Sequence, residues 1–341
     1  MATMKAGQWD PKQGHVVVNE IPIPEPGPGQ LLIKMISASL CHSDFLAMGD
    51  PNRTEPITLG HEGCGCIFSL HRDAEDKGFQ KGDVVGFLSV NGACFECEGC
   101  QVHNTLCERG NPQIVGFSAP GFFAEYAVVD WQNAIHLPAQ WDPKSSSPFF
   151  CAGLTSFNSV DSCGLQPGQW LAVVGAGGLG QLATQYAKAM SLRVIAIDVS
   201  DSTLQVCKEQ GADYVYNSKG DPAFAQKIRE LTGGGVHAAA VYSAAKAAYT
   251  TATMILRTMG LLMIVGVTHE PIPVSTQGIA IGLYRIKGEN YGVPQRMKRA
   301  IDFSVLHGIK PEVDFRKLDD LGQMVQEMKS GTATKRRTVI F

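Results

Sequence analysis

Residues 170–180 read WLAVVGAGGLG, and this stretch carries the clearest structural signal in the chain. Its apolar run predicts a buried β-strand, and the QLATQYAKAM that follows predicts a helix. Between them the glycines keep GxGxxG spacing. Gly175 permits a tight turn, Gly177 lets the backbone approach a pyrophosphate, and Gly180 lets the helix pack closely on the sheet. Because the helix N-terminus would offer free N–H groups to phosphates, the stretch predicts a dinucleotide-binding site.

An acidic residue follows these glycines at the distance that ribose recognition requires. The next buried strand, VIAID, ends at Asp198, eighteen residues beyond Gly180. Its carboxylate can accept hydrogen bonds from both ribose hydroxyls of NAD and would repel the 2′-phosphate of NADP. The sequence therefore favours NAD as the cofactor.

The pattern of predicted strands and helices along the sequence divides the chain into two domains. Residues 153–287 alternate buried strands with helices, which is typical of a doubly wound parallel α/β sheet. Residues 1–152 show short strands broken by Pro and Gly, and they predict a largely antiparallel β domain. The tail, residues 288–341, loses the alternation and ends in a strand-like TVIF. We assign it to the first domain, which becomes discontinuous.

Charge and composition exclude several classes of partner. The chain has 341 residues, with 29 Lys and Arg against 32 Asp and Glu and a net charge of −3. We therefore expect no nucleic-acid partner and no membrane partner, since no basic surface and no membrane-spanning run are evident. The basic run at residues 335–337 is by default a solvated face. Ten cysteines without an export signal indicate a reducing compartment and a cytoplasmic protein.

The segment CFECEGCQVHNTLC contains four closely spaced cysteines: Cys94, Cys97, Cys100 and Cys107. Four thiolates at this spacing suit one tetrahedral Zn²⁺. The alternative is a pair of disulfides, which would require an oxidising compartment. Because a closed shell of four ligands leaves no position for substrate, we expect a structural zinc here.

A second group of potential metal ligands is spread along the chain. It comprises CHSD at residues 41–44, GHEGCGC from Gly60, and a cysteine in FFCAGLT. Taken alone, a His in an apolar stretch is more often part of a core than a ligand. Taken together, two sulfurs and one imidazole would form a three-ligand zinc site with an open fourth position, as a catalytic zinc requires. The residues concerned are Cys41, His61 and Cys151.

The motifs GHEGCGC, the four-cysteine segment, CAGLT, VVGAGGLG and VIAID occur in an order that resembles the zinc-dependent alcohol dehydrogenases of the medium-chain dehydrogenase/reductase superfamily. The resemblance covers nearly the whole chain. It implies a GroES-like catalytic domain, a Rossmann domain, one catalytic and one structural zinc, and reversible hydride transfer between NAD and an alcohol. It also implies a small-molecule alcohol, aldehyde or ketone as substrate and a homodimer or homotetramer as the assembly.

The same resemblance assigns roles around the catalytic zinc, whose implied ligands are Cys41, His61 and Cys151. Asp44 would accept a hydrogen bond from the imidazole of His61 and orient it. Glu62 would lie behind the metal and could bind it transiently. Ser43 would bond the substrate oxygen and receive its proton.

The resemblance also implies a set of cofactor contacts beyond the glycines and the acid. His42 and Arg337 would face the pyrophosphate, with Gly178 inside the glycine turn. Thr155 and Leu179 would pack on the nicotinamide. The carboxamide of the nicotinamide would meet the backbone near Val267.

Several positions depart from the common family pattern. Leu46 replaces a histidine that often completes a proton relay, and Thr203 replaces a lysine near the adenosine. The loop before Cys107 is one residue shorter than usual. Met48 and Ser89 stand where ethanol-using relatives carry tryptophans, so we expect a wider pocket and substrates bulkier than ethanol.

Three other functions are compatible with parts of this pattern. A zinc polyol dehydrogenase would share the architecture and both ligand sets. A quinone reductase of the same architecture would lack zinc. A protein that binds NAD and zinc without catalysing a reaction would belong to a different class. Bound metal together with NADH formation from an alcohol panel discriminates among them.

Overall fold

A computed structural model describes residues 2–268, 270–272, 274–332 and 335–341. Within these ranges the chain forms eighteen β-strands and ten α-helices. The strands, numbered in chain order, are β1 Thr3–Asp10, β2 His15–Pro22, β3 Gln30–Ser39, β4 Ile57–Thr58, β5 Glu62–Leu70, β6 Val84–Phe87, β7 Val90–Asn91, β8 Gln113–Ile114, β9 Tyr126–Asp130, β10 Ala134–His136, β11 Trp170–Val174, β12 Arg193–Asp198, β13 Tyr214–Asn217, β14 Val236–Val241, β15 Leu256–Ile264, β16 Tyr284–Gly288, β17 Val313–Arg316 and β18 Arg336–Ile340.

The helices are α1 Asp44–Met48, α2 Glu98–Val102, α3 Ala152–Asp161, α4 Gly178–Ala189, α5 Asp201–Glu209, α6 Phe224–Thr232, α7 Lys246–Ile255, α8 Thr276–Ala280, α9 Pro294–His307 and α10 Leu321–Lys329. Short 3-10 helices cover Arg72–Ala74, Asn104–Leu106, Trp131–Asn133, Ser147–Phe150 and Leu318–Asp320. None of the helices in the described ranges is both long and apolar enough to cross a membrane.

Contacts divide the chain into two units. The first contains Met1–Cys151, Gly292–Val305 and Lys310–Phe341, and the second contains Ala152–Tyr291 and Leu306–Ile309. The predicted division differs at Ala152 and at residues 288–291 and 306–309, which it placed with the first unit. Helix α3 begins at Ala152, and the amide of Asn158 on that helix donates to the carbonyls of Asn290 and Tyr291, at 3.1 and 2.9 Å, which ties Asn290 and Tyr291 to the second unit.

The first unit is built on a mostly antiparallel sheet. Its strand order is β10-β6-β5-β3-β18-β17, and β9 also pairs with β3. Long stretches of these strands are buried, and their apolar side chains form one core with loop residues; Ile33, Phe87 and Phe122 are fully buried in it. The pairing of β3 with β5 sets Ser39 opposite Glu62, next to the future metal centre.

The second unit is a parallel sheet with the order β13-β12-β11-β14-β15-β16. Strand β11 is buried along its whole length, as a parallel strand covered on both faces must be. Successive strands are added outward from β11 through β12 to β13 on one side and through β14 and β15 to β16 on the other. The carboxyl ends of β11 and β14 therefore form the switch point where ligands bind in such sheets. The predicted α/β class, with a doubly wound parallel sheet and a mostly β domain, is confirmed.

The packing of Gly86 predicts a change in stability. A Cβ on this residue of β6 would lie 1.8 Å from the ring of Phe150, which is buried beside Cys151. We expect Gly86→Ala to lower the free energy of unfolding by about 1–3 kcal/mol, because an overpacked core must shift. Gly322→Ala, in α10 with only a 4.0 Å contact, is the matched control and should not destabilise the protein. Urea unfolding of both variants measures the difference, and equal stability would contradict the packing argument.

Candidate metal centres and cofactor site

Four buried side chains of the first unit meet at one point. Cys41 follows β3, His61 precedes β5, Glu62 begins β5, and Cys151 follows the 3-10 helix Ser147–Phe150. One ligand atom from each lies within 4.8 Å of all the others. The structure therefore brings together the three predicted ligands of a catalytic metal, with Glu62 beside them.

Asp44 fixes the orientation of two of these residues. One carboxylate oxygen is 2.9 Å from Nδ1 of His61, and the other accepts the backbone N–H of Cys41 at 2.8 Å. Burial of the ring lowers the pKa of His61, but the Asp44 carboxylate and the sulfur of Cys41 together outweigh burial and raise that pKa well above its ordinary value. Asp44 thus supplies the negative charge that holds Nδ1, which leaves Nε2 to face the ligand cluster.

The donor set fits zinc. Nε2 of His61 is buried and has no hydrogen-bond partner within the described ranges, an arrangement that is costly unless something binds it. The thiol of Cys151 is the main cause that lowers the pKa of Cys41 well below its usual range, against the effect of burial. Two sulfurs and an imidazole nitrogen are the ligands that zinc prefers, and a three-ligand set leaves a position for substrate.

Glu62 is neutralised by a residue from the far end of the sequence. Its carboxylate forms an ion pair with Arg336 and accepts the hydroxyl of Ser39 at 2.6 Å. Burial raises the pKa of Glu62 to about 7, while Arg336 opposes that rise. Arg336 and its neighbour Arg337 are only 8% and 7% exposed, so the prediction of a solvated face at residues 335–337 is wrong for both. They are buried because β18 inserts beside β3 in the sheet.

The four-cysteine segment also closes on itself. The ligand atoms of Cys94, Cys97, Cys100 and Cys107 all lie within 4.8 Å of one another. All ten cysteines of the chain are free thiols, and the sulfurs of Cys94 and Cys100 are 3.9 Å apart, which is too far for a disulfide bond. The arrangement favours a metal over the alternative pair of disulfides.

Backbone N–H groups point at these sulfurs. Cys107 accepts from Cys94 at 3.2 Å and from Gly110 at 3.1 Å, and Cys97 accepts from Glu108 at 3.4 Å. The Cys94 N–H is the largest of the effects that lower the pKa of Cys107 to about 6. Burial instead raises the pKa of Cys100 to about 12. The segment is therefore organised to hold negative sulfur, and a cation is needed to make all four sulfurs thiolates.

In the second unit the glycine motif forms the predicted turn between β11 and α4. Gly175 has φ +97°, and its N–H donates to Ile197 at 2.8 Å. A Cβ on Gly180 would lie 2.0 Å from the Gly175 carbonyl, so helix and turn could not approach as closely with any other residue. Gly177 has no neighbouring atom within 4 Å of such a Cβ, and no side chain caps α4. The helix N-terminus is open to an anion, as a pyrophosphate site requires.

Asp198 lies at the carboxyl end of β12, beside this turn. Its carboxylate accepts three backbone N–H groups, from Ala176 at 2.6 Å, Val199 at 2.7 Å and Ser200 at 3.0 Å. These bonds fix the carboxylate at the edge of the turn. A carboxylate has about four acceptor positions, so one remains for a ligand hydroxyl, whereas the sequence predicted bonds to both ribose hydroxyls.

The other predicted cofactor residues take varied positions. Thr155 is buried on α3, Gly178 begins α4, and the carbonyl of Leu179 accepts the hydroxyl of Ser156 at 2.9 Å. Val267 follows β15 and is 70% exposed. All four belong to the second unit with the glycine turn.

The remaining predicted residues belong to the first unit. His42 is exposed, and Ser43 is half-buried with its hydroxyl 3.8 Å from the sulfur of Cys41. Arg337 is buried in an ion pair with Glu327. Of the two predicted pocket residues, Met48 is partly buried and packs against the core, and Ser89 is only 3% exposed.

Sequence reasoning missed three residues beside the metal cluster. They are Ser39, Arg336 and Phe117, whose ring centroid lies 5.3 Å from that of His61. Ser39 could have been found two residues before Cys41 in an apolar strand, and Arg336 could have been found at the start of the strand-like tail. Phe117 lies in a turn and left no signal in the sequence.

Comparison with known proteins gives two family matches. Residues 27–139 match the family model of the alcohol dehydrogenase GroES-like domain, and residues 178–305 match the zinc-binding dehydrogenase model. A curated alcohol dehydrogenase of Geobacillus stearothermophilus is 34% identical over 332 residues, which are 96% of this chain and 97% of that protein.

Solved structures agree with this likeness. The alcohol dehydrogenase of the hyperthermophilic archaeon Aeropyrum pernix superposes with a TM-score of 0.89 at 26% identity, over 99% of this chain and 100% of that one. An acetophenone reductase of Geotrichum candidum NBRC 4597, solved in complex with NAD, has a TM-score of 0.86 at 22% identity over 99% and 97% of the chains. At this lower identity the second likeness concerns the fold alone.

The two bonds of Asp44 predict its effect on metal binding. We expect Asp44→Asn to weaken zinc binding at the buried site by about 10- to 100-fold, because the carboxylate that orients the imidazole is lost. Zinc titration with a chromogenic chelator measures this affinity. The exposed Asp76→Asn is the matched control. Unchanged zinc affinity in the Asp44 variant would contradict the orienting role.

Proposed function

Because the chain belongs to the zinc-type alcohol dehydrogenases of the medium-chain dehydrogenase/reductase superfamily, we propose that it oxidises an alcohol bulkier than ethanol reversibly with NAD. The product would be an aldehyde or a ketone. The observation that carries the proposal is the buried set of Cys41, His61 and Cys151, with Nε2 of the imidazole left free for a metal. A metal site that is only structural would not need an open position.

We propose two zinc ions per chain, one in this set and one held by Cys94, Cys97, Cys100 and Cys107. Bound in the open set, zinc would act as a Lewis acid towards the substrate oxygen and lower the pKa of the alcohol. Asp44 keeps the imidazole oriented, and Arg336 balances the buried charge of Glu62. The half-buried hydroxyl of Ser43 is the group that would bond the substrate hydroxyl and receive its proton. Since Leu46 cannot carry a proton, the path onward would run through water or the cofactor ribose.

A bound NAD would supply the acceptor for the hydride that leaves the alcohol carbon. Gly175, Gly177, Gly178 and Gly180 would admit its pyrophosphate at the N-terminus of α4, and Asp198 would bond the ribose through its remaining acceptor position. The negative charge of Asp198 favours NAD over NADP.

The remaining cofactor contacts are proposed from the family resemblance. We assign His42 and Arg337 to the pyrophosphate, Thr155 and Leu179 to the nicotinamide, and the backbone near Val267 to the carboxamide. The ion pair between Arg337 and Glu327 already satisfies part of that arginine's charge, so we expect its contribution to be smaller than that of the helix N-terminus.

The alternatives differ in how well they suit the side chains present. A zinc-free quinone reductase would have no use for two complete ligand sets. A protein without catalytic activity would not need an oriented imidazole with a free nitrogen. A polyol dehydrogenase shares these features, and substrate preference separates it from an alcohol dehydrogenase. Ser89 and Met48 favour a wide pocket with one flexible apolar wall.

The proposed reaction predicts a clear result for the variant Cys41→Ala. We expect about one zinc per chain instead of two, loss of NADH formation from every alcohol of a panel, and unchanged affinity for NADH, because Cys41 belongs only to the metal centre. Metal analysis, turnover with NAD and with NADP, and a fluorescence titration with NADH measure these three properties.

Cys107→Ser is the matched control for this variant. It should lose the other zinc and stability while the remaining folded protein keeps its substrate preference. Wild-type turnover in the Cys41 variant would refute the catalytic role of the metal, and ethanol as the best substrate of the unaltered protein would refute the wide pocket.

We also propose that the chain forms a homodimer, or a homotetramer built from such dimers, through one edge of the parallel sheet. Within the described ranges β16 is the last strand of that sheet, and four of its five residues are exposed. Exposed apolar side chains flank it, which we term the edge patch: Met254, Met259, Val274, Ile279, Ile281, Leu283 and Ile286. An open strand edge bordered by such a patch is typical of an interface.

Backbone strain within the edge patch supports this proposal. Met259 has φ +59°, a conformation that favours glycine, and its side chain is 52% exposed. Its N–H donates to Gly282 at 3.0 Å, and an open groove of about 480 Å³ lies nearby between Met254, Val274 and Leu283. A bulky residue in this conformation costs about 1 kcal/mol, and a second copy of the chain packed on the patch would offset that cost.

The double variant Ile281→Glu, Leu283→Glu tests the interface. We expect it to shift the mass measured by light scattering towards the 36.6 kDa of one chain, because two buried charges would oppose association. Leu306→Glu changes a residue that is 77% exposed outside the patch and should leave the mass unaltered. Equal masses for both variants and the unaltered protein would contradict the proposed interface.

A further inference from the structure

The aromatic ring of Phe117 lies beside a metal ligand, at a place where the mechanism so far assigns no role. Its centroid is 5.3 Å from that of His61, and the two rings are tilted by 50°. Phe117 is half-buried, so part of its ring packs on the core and part stays accessible. An accessible ring next to a ligand of an open metal site is positioned to contact whatever binds there.

The turn that carries Phe117 is built against the backbone of the metal centre. The N–H of Val115 donates to the carbonyl of Ser89 at 2.8 Å, and that of Phe117 donates to Ile114 at 3.0 Å. A Cβ on Gly116 would lie 2.6 Å from the carbonyl of Gly60, the residue before His61. Gly116 also has φ +85°, a conformation that favours glycine. The turn therefore requires glycine both for its backbone conformation and for the close approach to Gly60.

Arg53 joins this turn to the helix that carries Asp44. Its Nη2 donates to the carbonyl of Phe117 at 2.6 Å, and its Nε donates to the carbonyl of Ala47, in α1, at 3.1 Å. The side chain is 14% exposed, and Asp50 lies 3.5 Å from the guanidinium. A guanidinium that bridges two carbonyls restrains both segments, since its donors are fixed in one plane.

We propose that Phe117 is an aromatic wall of the substrate site and that Arg53 is its positioning residue. The site would then favour alcohols with an aromatic ring on the carbinol carbon over saturated alcohols of the same size. The proposal rests on the alcohol dehydrogenase function proposed above, whose preference for bulky substrates it narrows to a chemical class. Edge-to-face or offset contact between the two rings, beyond mere apolar burial, provides the discrimination.

The test compares ligands that differ only in aromaticity. Benzyl alcohol and cyclohexylmethanol serve as substrates, and benzamide and cyclohexanecarboxamide serve as unreactive ligands in calorimetric titrations of the zinc enzyme with NADH. We expect Phe117→Leu to lower the benzyl to cyclohexyl ratio of kcat/KM by about three- to tenfold, and the ratio of amide affinities similarly. The conservative Phe117→Tyr should keep both ratios near those of the unaltered protein.

Arg53→Met should also lower the benzyl to cyclohexyl ratio of kcat/KM, because the ring remains but is no longer held in place. We expect a higher KM for benzyl alcohol with kcat largely kept. Phe68→Leu, at an exposed phenylalanine of β5, is the matched control and should change neither ratio. Zinc content, measured for every variant, should stay constant.

Two results would overturn the proposal. The first is that, in Phe117→Leu, kcat/KM falls equally for both alcohols and the affinity falls equally for both amides, and the second is that this variant loses zinc. Either result would mean that the ring only supports His61. Failure of the unaltered protein to oxidise either alcohol would instead refute the proposed function, and the amide affinities would still decide whether Phe117 contacts a bound ring.

Discussion

The ion pair between Glu62 and Arg336 is the constraint around which the first unit is organised. Both side chains are buried, and an unpaired buried carboxylate costs about 3–5 kcal/mol. Arg336 can reach Glu62 only because β18 lies beside β3, and β3 lies beside β5. The register of these three strands also places Cys41 and His61 next to each other. The sheet that brings the two charges together therefore also positions two of the three metal ligands.

Local sequence patterns predicted a large part of this protein. The glycine turn and the four cysteines lie within short stretches, so their spacing alone limits the possible geometry. Contacts between distant residues could not be obtained in this way. Arg336 is 274 residues from Glu62, and Phe117 reaches His61 through a turn held by Gly116 and Arg53. A basic run is usually solvated, and only the pairing of β18 with β3 explains why this one is buried.

The chemistry of the molecule is distributed between the units in separate, preorganised parts. All of the proposed metal ligands lie within residues 41–151, and the glycine turn and its acid lie within residues 175–198. In each part other groups of the protein hold the binding groups in place: Asp44 holds the imidazole, and three backbone N–H groups hold Asp198. Such preorganisation lowers the entropy that binding must overcome.

The position of Arg336 in the chain has a consequence for biosynthesis. The ligands Cys41, His61 and Cys151 are synthesised early, whereas the cation that neutralises Glu62 is made only after nearly two hundred further residues. Without β18, Glu62 has the hydroxyl of Ser39 but no arginine to oppose the burial that raises its pKa. The charge balance of the metal centre is therefore complete only when the late strand β18 has joined the sheet.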